Sequence, residues 1–214
     1  MKKYALINGK ILDGSENMTA RDAVVLVDGE KIANVLPKGD PIPNGYETID
    51  LGGKYLMPGL INMHVHLAGN GKPQKKQRDN AKLVKKIMST AVTRAIAYKL
   101  VAKFAKLELL SGVTTIRTVG GLADFDTKLR DDIKNGKKIG PRILAANRGI
   151  SVPDGHMAGS VAIAADSTEE ALRILENNEA ENVDLIKLMI TGGVLDSKEK
   201  GVPGEVKMSA DTVK

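Results

Sequence analysis

A chain of 214 residues, 42% apolar and 27% charged, can bury a sizeable core and has the make-up of a globular protein. It contains no cysteine, which excludes a disulfide framework and any thiolate zinc site, so a metal would have to be held by nitrogen and oxygen ligands. Much of the net charge of +6 falls in residues 72–86, including Lys75, Lys76, Arg78, Lys82 and Lys85. With no aromatic residue interleaved, this run reads as a solvated helix face or a lid over an anionic substrate rather than a nucleic-acid surface.

The start, with Lys2 and Lys3 before a very short apolar run, lacks the hydrophobic region of a signal peptide. No stretch approaches the roughly 18 apolar residues of a membrane span. The expectation is a cytoplasmic protein with neither membrane nor nucleic acid as partner. Residues 4–7 and 10–12 flank Asn8-Gly9, a pair that readily takes positive φ, and the pattern predicts a hairpin. Residues 24–27 and 31–36 around Asp28-Gly29 predict a second one. Residues 49–51 and 54–57 add short extended pieces, giving a small β module with a thin core that needs further strands.

After Pro58-Gly59 apolar strands alternate with helices, the pattern of parallel βαβ units. Residues 60–66 form the first predicted strand. A long helical region follows, with Val84, Ile87, Ala91, Ala95, Leu100, Phe104 and Leu107 as its apolar positions. Gly112 ends it, and 113–117 is a β-branched strand. A helix through Leu129 and Ile133 leads to a third strand at 142–146. Ser167-Thr168-Glu169-Glu170 reads as a capping box opening another helix. Residues 183–190 are expected to be a fourth strand buried on both sides. Ser209 then looks like the N-cap of a helix that stops at Lys214. Four βα units are half of a (β/α)₈ barrel, and the expectation is a truncated one.

Three histidines are present, two of them in His64-Val65-His66. Residues i and i+2 of a strand share a face with Cα atoms roughly 6.5 to 7 Å apart, so both imidazoles can reach one metal ion, although packed histidines show the same spacing. The pair ends its strand, where (β/α)₈ barrels build their sites. Lys187 lies between Ile186 and Leu188. It either points outward or pairs with Asp184, or it is buried and neutral enough to take up CO₂ as a carbamate able to bridge two metals. His156 sits in a loop after the third strand, solvated or at the catalytic rim. Gly120-Gly121 and Gly192-Gly193 lack Walker spacing and read as sharp turns over a site.

Together, 57–67 with His64 and His66, 112–117 followed by Gly120-Gly121, 140–144, and 184–187 followed by Thr191-Gly192-Gly193 resemble the amidohydrolase superfamily, in particular its imidazolonepropionase-like and prolidase-like branch. The resemblance implies an α/β fold. Residues 1–56 would be the N-terminal part of a small β-sandwich domain, and 57–214 the first four βα units of a TIM barrel. It implies a two-metal centre, usually zinc, with His64 and His66 on one ion and carboxylated Lys187 bridging both, and His156 close to substrate. The activity implied is hydrolysis of an amide bond in a dipeptide or an N-acyl amino acid through a metal-bound water. The ligands that relatives carry after strands five, six and eight are absent, so the remaining barrel half or a second copy would be a partner. Thr118 stands where many relatives have an acidic residue. The alternatives are a non-catalytic half-barrel that serves association, or a mononuclear imidazolone-type ring hydrolase or deaminase, against which Lys187 argues.

Overall fold

The structure, a computed structural model, describes residues 2–71, 79–192 and 204–214. Lys72, Lys75, Lys76 and Arg78 of the basic run, and Gly193, lie outside the described residues. The chain forms two compact units, Met1–Gly59 and Leu60–Lys214.

The first unit is a mixed sheet of β1 (Lys3–Ile11), β2 (Arg21–Asp28), β3 (Lys31–Pro37), β4 (Glu47–Asp50) and β5 (Tyr55–Leu56). Its order is β3-β2-β1-β4, with β5 also pairing β1. The hairpin predicted at Asp28-Gly29 forms: Asp28 pairs with Lys31, and Gly29 takes φ +60°. The hairpin predicted at Asn8-Gly9 does not. Those residues lie inside β1, whose pairing with β2 shifts register between Leu6 and Gly9. Asn8 uses its positive φ of 56° for a bulge, and its side chain donates to Asp50 at 2.9 Å. Gly9 is required there because a Cβ would lie 2.4 Å from the Leu51 side chain. Asn-Gly supplies the backbone freedom, and pairing on both sides of β1 decides that it is spent on a bulge. Ala5, Val24 and Leu26 are buried in one small cluster and Ile11, Ala23 and Val25 in another, so alternate residues of β2 serve separate clusters.

In the second unit β6 (Leu60–Val65), β7 (Val113–Thr118) and β8 (Arg142–Leu144) form a parallel sheet in that order. Helices α1 (Asn80–Ile87) and α2 (Ala91–Leu110) connect β6 to β7, and α3 (Phe125–Lys134) connects β7 to β8. The core beneath them includes Val65, Leu67, Ala97, Val101, Ala105, Ile116, Leu129 and Ile143. The single helical region expected through 84–107 is broken. Thr90 is extended, and its hydroxyl accepts from the Thr93 N–H at 3.1 Å, a cap that starts a new helix. The buried face of α2 is Ala97, Val101 and Ala105; of the expected stripe Val84, Ile87 and Phe104 pack against this core, whereas Ala91, Ala95, Leu100 and Leu107 are exposed. Because α2 is apolar on most of its circumference, periodicity alone could not select the face.

Beyond β8, β9 (Gly149–Ser151) pairs in parallel with β10 (Ala162–Ala164), and α4 (Thr168–Ala180) and α5 (Ala210–Val213) follow. The fourth strand expected at 183–190 is reduced to one parallel bridge, Leu188 with Ile150. The reason lies in its neighbour. β8 stops at Leu144, and the chain turns at Asn147 with φ +53°, so no continuous edge is offered. Of 183–190 only Met189 is fully buried. Ser167 caps α4 through the Glu170 N–H, and the Glu170 carboxylate accepts from the Asp166 N–H, one residue short of a reciprocal capping box. Among the described residues no helix is long and apolar enough to cross a membrane.

Candidate metal centre

His64 and His66 stand at and just beyond the C-terminal end of β6, their ring centroids 5.3 Å apart and the rings at 66°. His66 is held from behind: its Nδ1 lies 2.9 Å from the Gly120 carbonyl oxygen. A carbonyl only accepts, so Nδ1 carries the proton and Nε2 keeps its lone pair. Orientation of one ring nitrogen by a carbonyl is the usual support for an imidazole whose other nitrogen binds a metal. The Gly120-Gly121 turn makes this possible. Gly120 has φ +145°, and a Cβ on it would lie 3.1 Å from the His66 ring. The Gly121 N–H donates to the Asn147 carbonyl at 2.7 Å, pinning the far side of the turn.

Lys187 is half-buried, and its stem packs on Gly149, where an added Cβ would meet Lys187 Cγ at 3.4 Å. Its carbonyl accepts from the Ile150 N–H and the Met189 N–H donates to the Ile150 carbonyl, both at 2.8 Å, so the backbone around it is fixed on both sides. Asp184, one expected partner, is taken elsewhere. Its carboxylate accepts from Arg130 Nη1 and from the Ala145 N–H, each at 2.8 Å. His156 is positioned by the donation of its N–H to the Thr191 carbonyl at 3.2 Å, in a loop where Gly155 packs on Ser151.

These groups share one electrostatic neighbourhood. Burial, then the charges of Lys187, Arg117 and His156, hold the His64 pKa below its usual value. Burial also lowers that of His66, opposed by the Gly120 carbonyl and aided by His64, Lys187 and His156. Neutral imidazoles are the form that ligates metal. His64 and His66 thus feel the charges of Lys187 and His156 from two other stretches of chain. Among the described residues no group of three His, Cys, Asp or Glu side chains could hold an ion by itself. The imidazoles of His64 and His66 are the nitrogen donors present at this end of β6. A concavity of about 420 Å³ opens along β6, lined among others by Asn62, His64, His66, Gly69 and Phe104.

Sequence reading overlooked Asp126, in the first turn of α3. It is 1% exposed, its Oδ2 has no partner, and a Cβ on Gly121 would lie 2.4 Å from that oxygen. Burial pushes its pKa up to about 6, partly offset by the neighbouring Thr118 hydroxyl. Thr118 itself is fully buried, and its hydroxyl accepts from the Ala146 N–H at 3.2 Å. Asn147 joins the same region, accepting from the Thr127 N–H and donating to Glu181. An acid in a first turn ordinarily reads as a favourable partner of the helix dipole, which is why its sequence context gave no warning.

The chain belongs to the amidohydrolase family, whose profile matches residues 55–209. A stretch of 63 residues is 41% identical to a dihydroorotase of Trichlorobacter lovleyi, covering 29% of this chain and 14% of that protein. Another of 64 residues is 38% identical to a dihydroorotase of Staphylococcus aureus, covering 30% and 14%. Among solved structures, a Bifidobacterium longum protein assigned as a prolidase is 33% identical with a TM-score of 0.70, over 92% of this chain and 43% of that one. A Xaa-Pro dipeptidase with methionine bound in its active site is 27% identical with a TM-score of 0.72, over 95% and 51%. The chain therefore spans about half the length of these structural relatives.

Proposed function

We propose that this chain carries part of the metal centre of an amidohydrolase that cleaves an amide bond in a dipeptide or an N-acyl amino acid. His64 and His66 would hold one divalent ion, zinc in the first instance, and a carboxylated Lys187 would bridge it to a second. The observation that carries this reading is the pairing of His64 and His66 at the end of β6, ring centroids 5.3 Å apart, with the charge of Lys187 acting on both. Several basic groups in one place, including His156 and Arg117, repel one another. The Lys187 ammonium would give up one proton to solvent, and its amine would then add to CO₂, forming an N–C bond and releasing a second proton. A cation is thereby replaced by an anion with two oxygen donors. When bound, the metals supply Lewis acidity toward a carbonyl oxygen and make water a nucleophile near neutral pH. The chain's own part is to fix the His66 tautomer through Gly120 and to hold Lys187 against Gly149. His156 and Arg117 would draw in the carboxylate of the substrate. In this reading Met1–Gly59 contributes to a small β-sandwich domain and Leu60–Lys214 supplies the first four βα units of a barrel. The remaining half would come from further chain or a partner copy.

The likeness to a Xaa-Pro dipeptidase and to a protein assigned as a prolidase supports a dipeptide substrate. The stretch shared with dihydroorotases favours a second reading, hydrolysis of dihydroorotate. Assays on Xaa-Pro dipeptides and on dihydroorotate, made with the zinc-loaded chain together with the remaining barrel half, decide between them. Labelling with ¹³C-bicarbonate should give a carbamate resonance in wild type that is missing from Lys187→Ala. That variant should lose activity and regain part of it with a short carboxylic acid. Full activity in Lys187→Ala would remove the bridging role.

A further inference from the structure

The Gly120-Gly121 turn is squeezed between two side chains. On one side Gly120 lies against the His66 ring, and on the other Gly121 lies against the Asp126 carboxyl, which a Cβ would meet at 2.4 Å (Oδ2), 2.8 Å (Cγ) and 2.9 Å (Oδ1). The Gly121 N–H is also held by the Asn147 carbonyl at 2.7 Å. A buried carboxyl with an oxygen lacking a partner is costly, and an apolar side chain of the same size would fill the space without that cost.

We infer that Asp126 is a positioning residue: through the turn it props, it fixes the Gly120 carbonyl that keeps His66 in the Nδ1–H tautomer with Nε2 presented outward. The inference rests on the reading of His66 as a metal ligand. Asp126 reaches neither the ion nor the substrate, and it acts through Gly121, the Gly120 carbonyl and the imidazole in sequence. Asp126→Ala opens space behind the turn and lets the carbonyl retreat from Nδ1. Asp126→Asn keeps the shape of the side chain against the turn. Gly121→Ala drives a methyl into the carboxyl and displaces the turn from the same side. Combined with Asp126→Ala, that methyl enters the vacated space and the turn returns.

The test uses the metal-free 214-residue chain with ¹⁵N-labelled histidine, reading the two His66 ring nitrogens by long-range proton–nitrogen correlation, together with zinc titration. Wild type and Asp126→Asn are expected to show protonated Nδ1 and unprotonated Nε2. Asp126→Ala and Gly121→Ala should move toward the Nε2–H form and bind zinc roughly tenfold to a hundredfold more weakly. The double variant should return toward wild type. Unchanged ring shifts in Asp126→Ala overturn the inference. Should that variant fail to fold, a double variant no better than Gly121→Ala overturns it equally. His66→Ala separates the two ideas. If it leaves zinc affinity unchanged, His66 is no ligand and the metal reading fails, while the ring shifts still judge what Asp126 does to the tautomer.

Discussion

Asp126 is a carboxyl removed from water at the start of α3, and the energetic consequence can be measured apart from any metal. Its pKa rises from 3.8 to about 6 because burial disfavours the charged form. Below pH 4 the group is protonated in folded and unfolded chains alike and costs nothing. As pH rises through 6 the unfolded chain has already released the proton and the folded chain must follow, so stability is lost. A shift of this size is worth about 3 kcal/mol. Urea unfolding of wild type and Asp126→Asn should therefore diverge by up to that amount between pH 4 and 7, with the variant the more stable at neutral pH. Parallel curves would mean that the carboxyl is not buried as described. At this scale the sequence was legible where side-chain chemistry has a fixed spacing. His64-Val65-His66 and the lysine within 183–190 stand out on inspection. The contribution of Gly120 is a backbone carbonyl, which carries no residue identity, and Asp126 is paired with it only by the three-dimensional turn.

The elements show the same division between local and tertiary control. The Ser167 hydroxyl accepts from the Glu170 N–H at 3.2 Å, so replacing it by alanine should cost about 1 kcal/mol and raise amide exchange in the first turn of α4. Unaltered exchange there would show the cap to be dispensable. That cap was readable because it needs only residues three apart, as was the Asp28-Gly29 hairpin. The inner face of α2 was not. Ala105 is fully buried and Leu107 is 52% exposed, so Ala105→Leu should overpack the core at a cost of about 1–3 kcal/mol. Leu107→Ala should change stability by less than about 0.5 kcal/mol. The reverse order would restore the face that periodicity indicated. Residues 183–190 were legible as an apolar segment but not as a non-strand, because strand formation depends on the length of the edge offered by β8 and β9.

At the scale of the molecule, alternating strands and helices after Pro58 correctly indicated a parallel sheet, and the family match over 55–209 agrees with it. In the second unit β6 lies at the end of the sheet order, with Leu60, Ile61 and Met63 exposed at 51%, 64% and 46%. His64 and His66 both feel the charges of His156 and Lys187, which come much later in the sequence. The central claim is that His64 and His66 are metal ligands, and zinc titration of the metal-free chain tests it most directly. Wild type should bind zinc at one or more defined sites, and the His64→Ala/His66→Ala double variant should bind at least about tenfold more weakly. Equal affinity in the two proteins would contradict the claim.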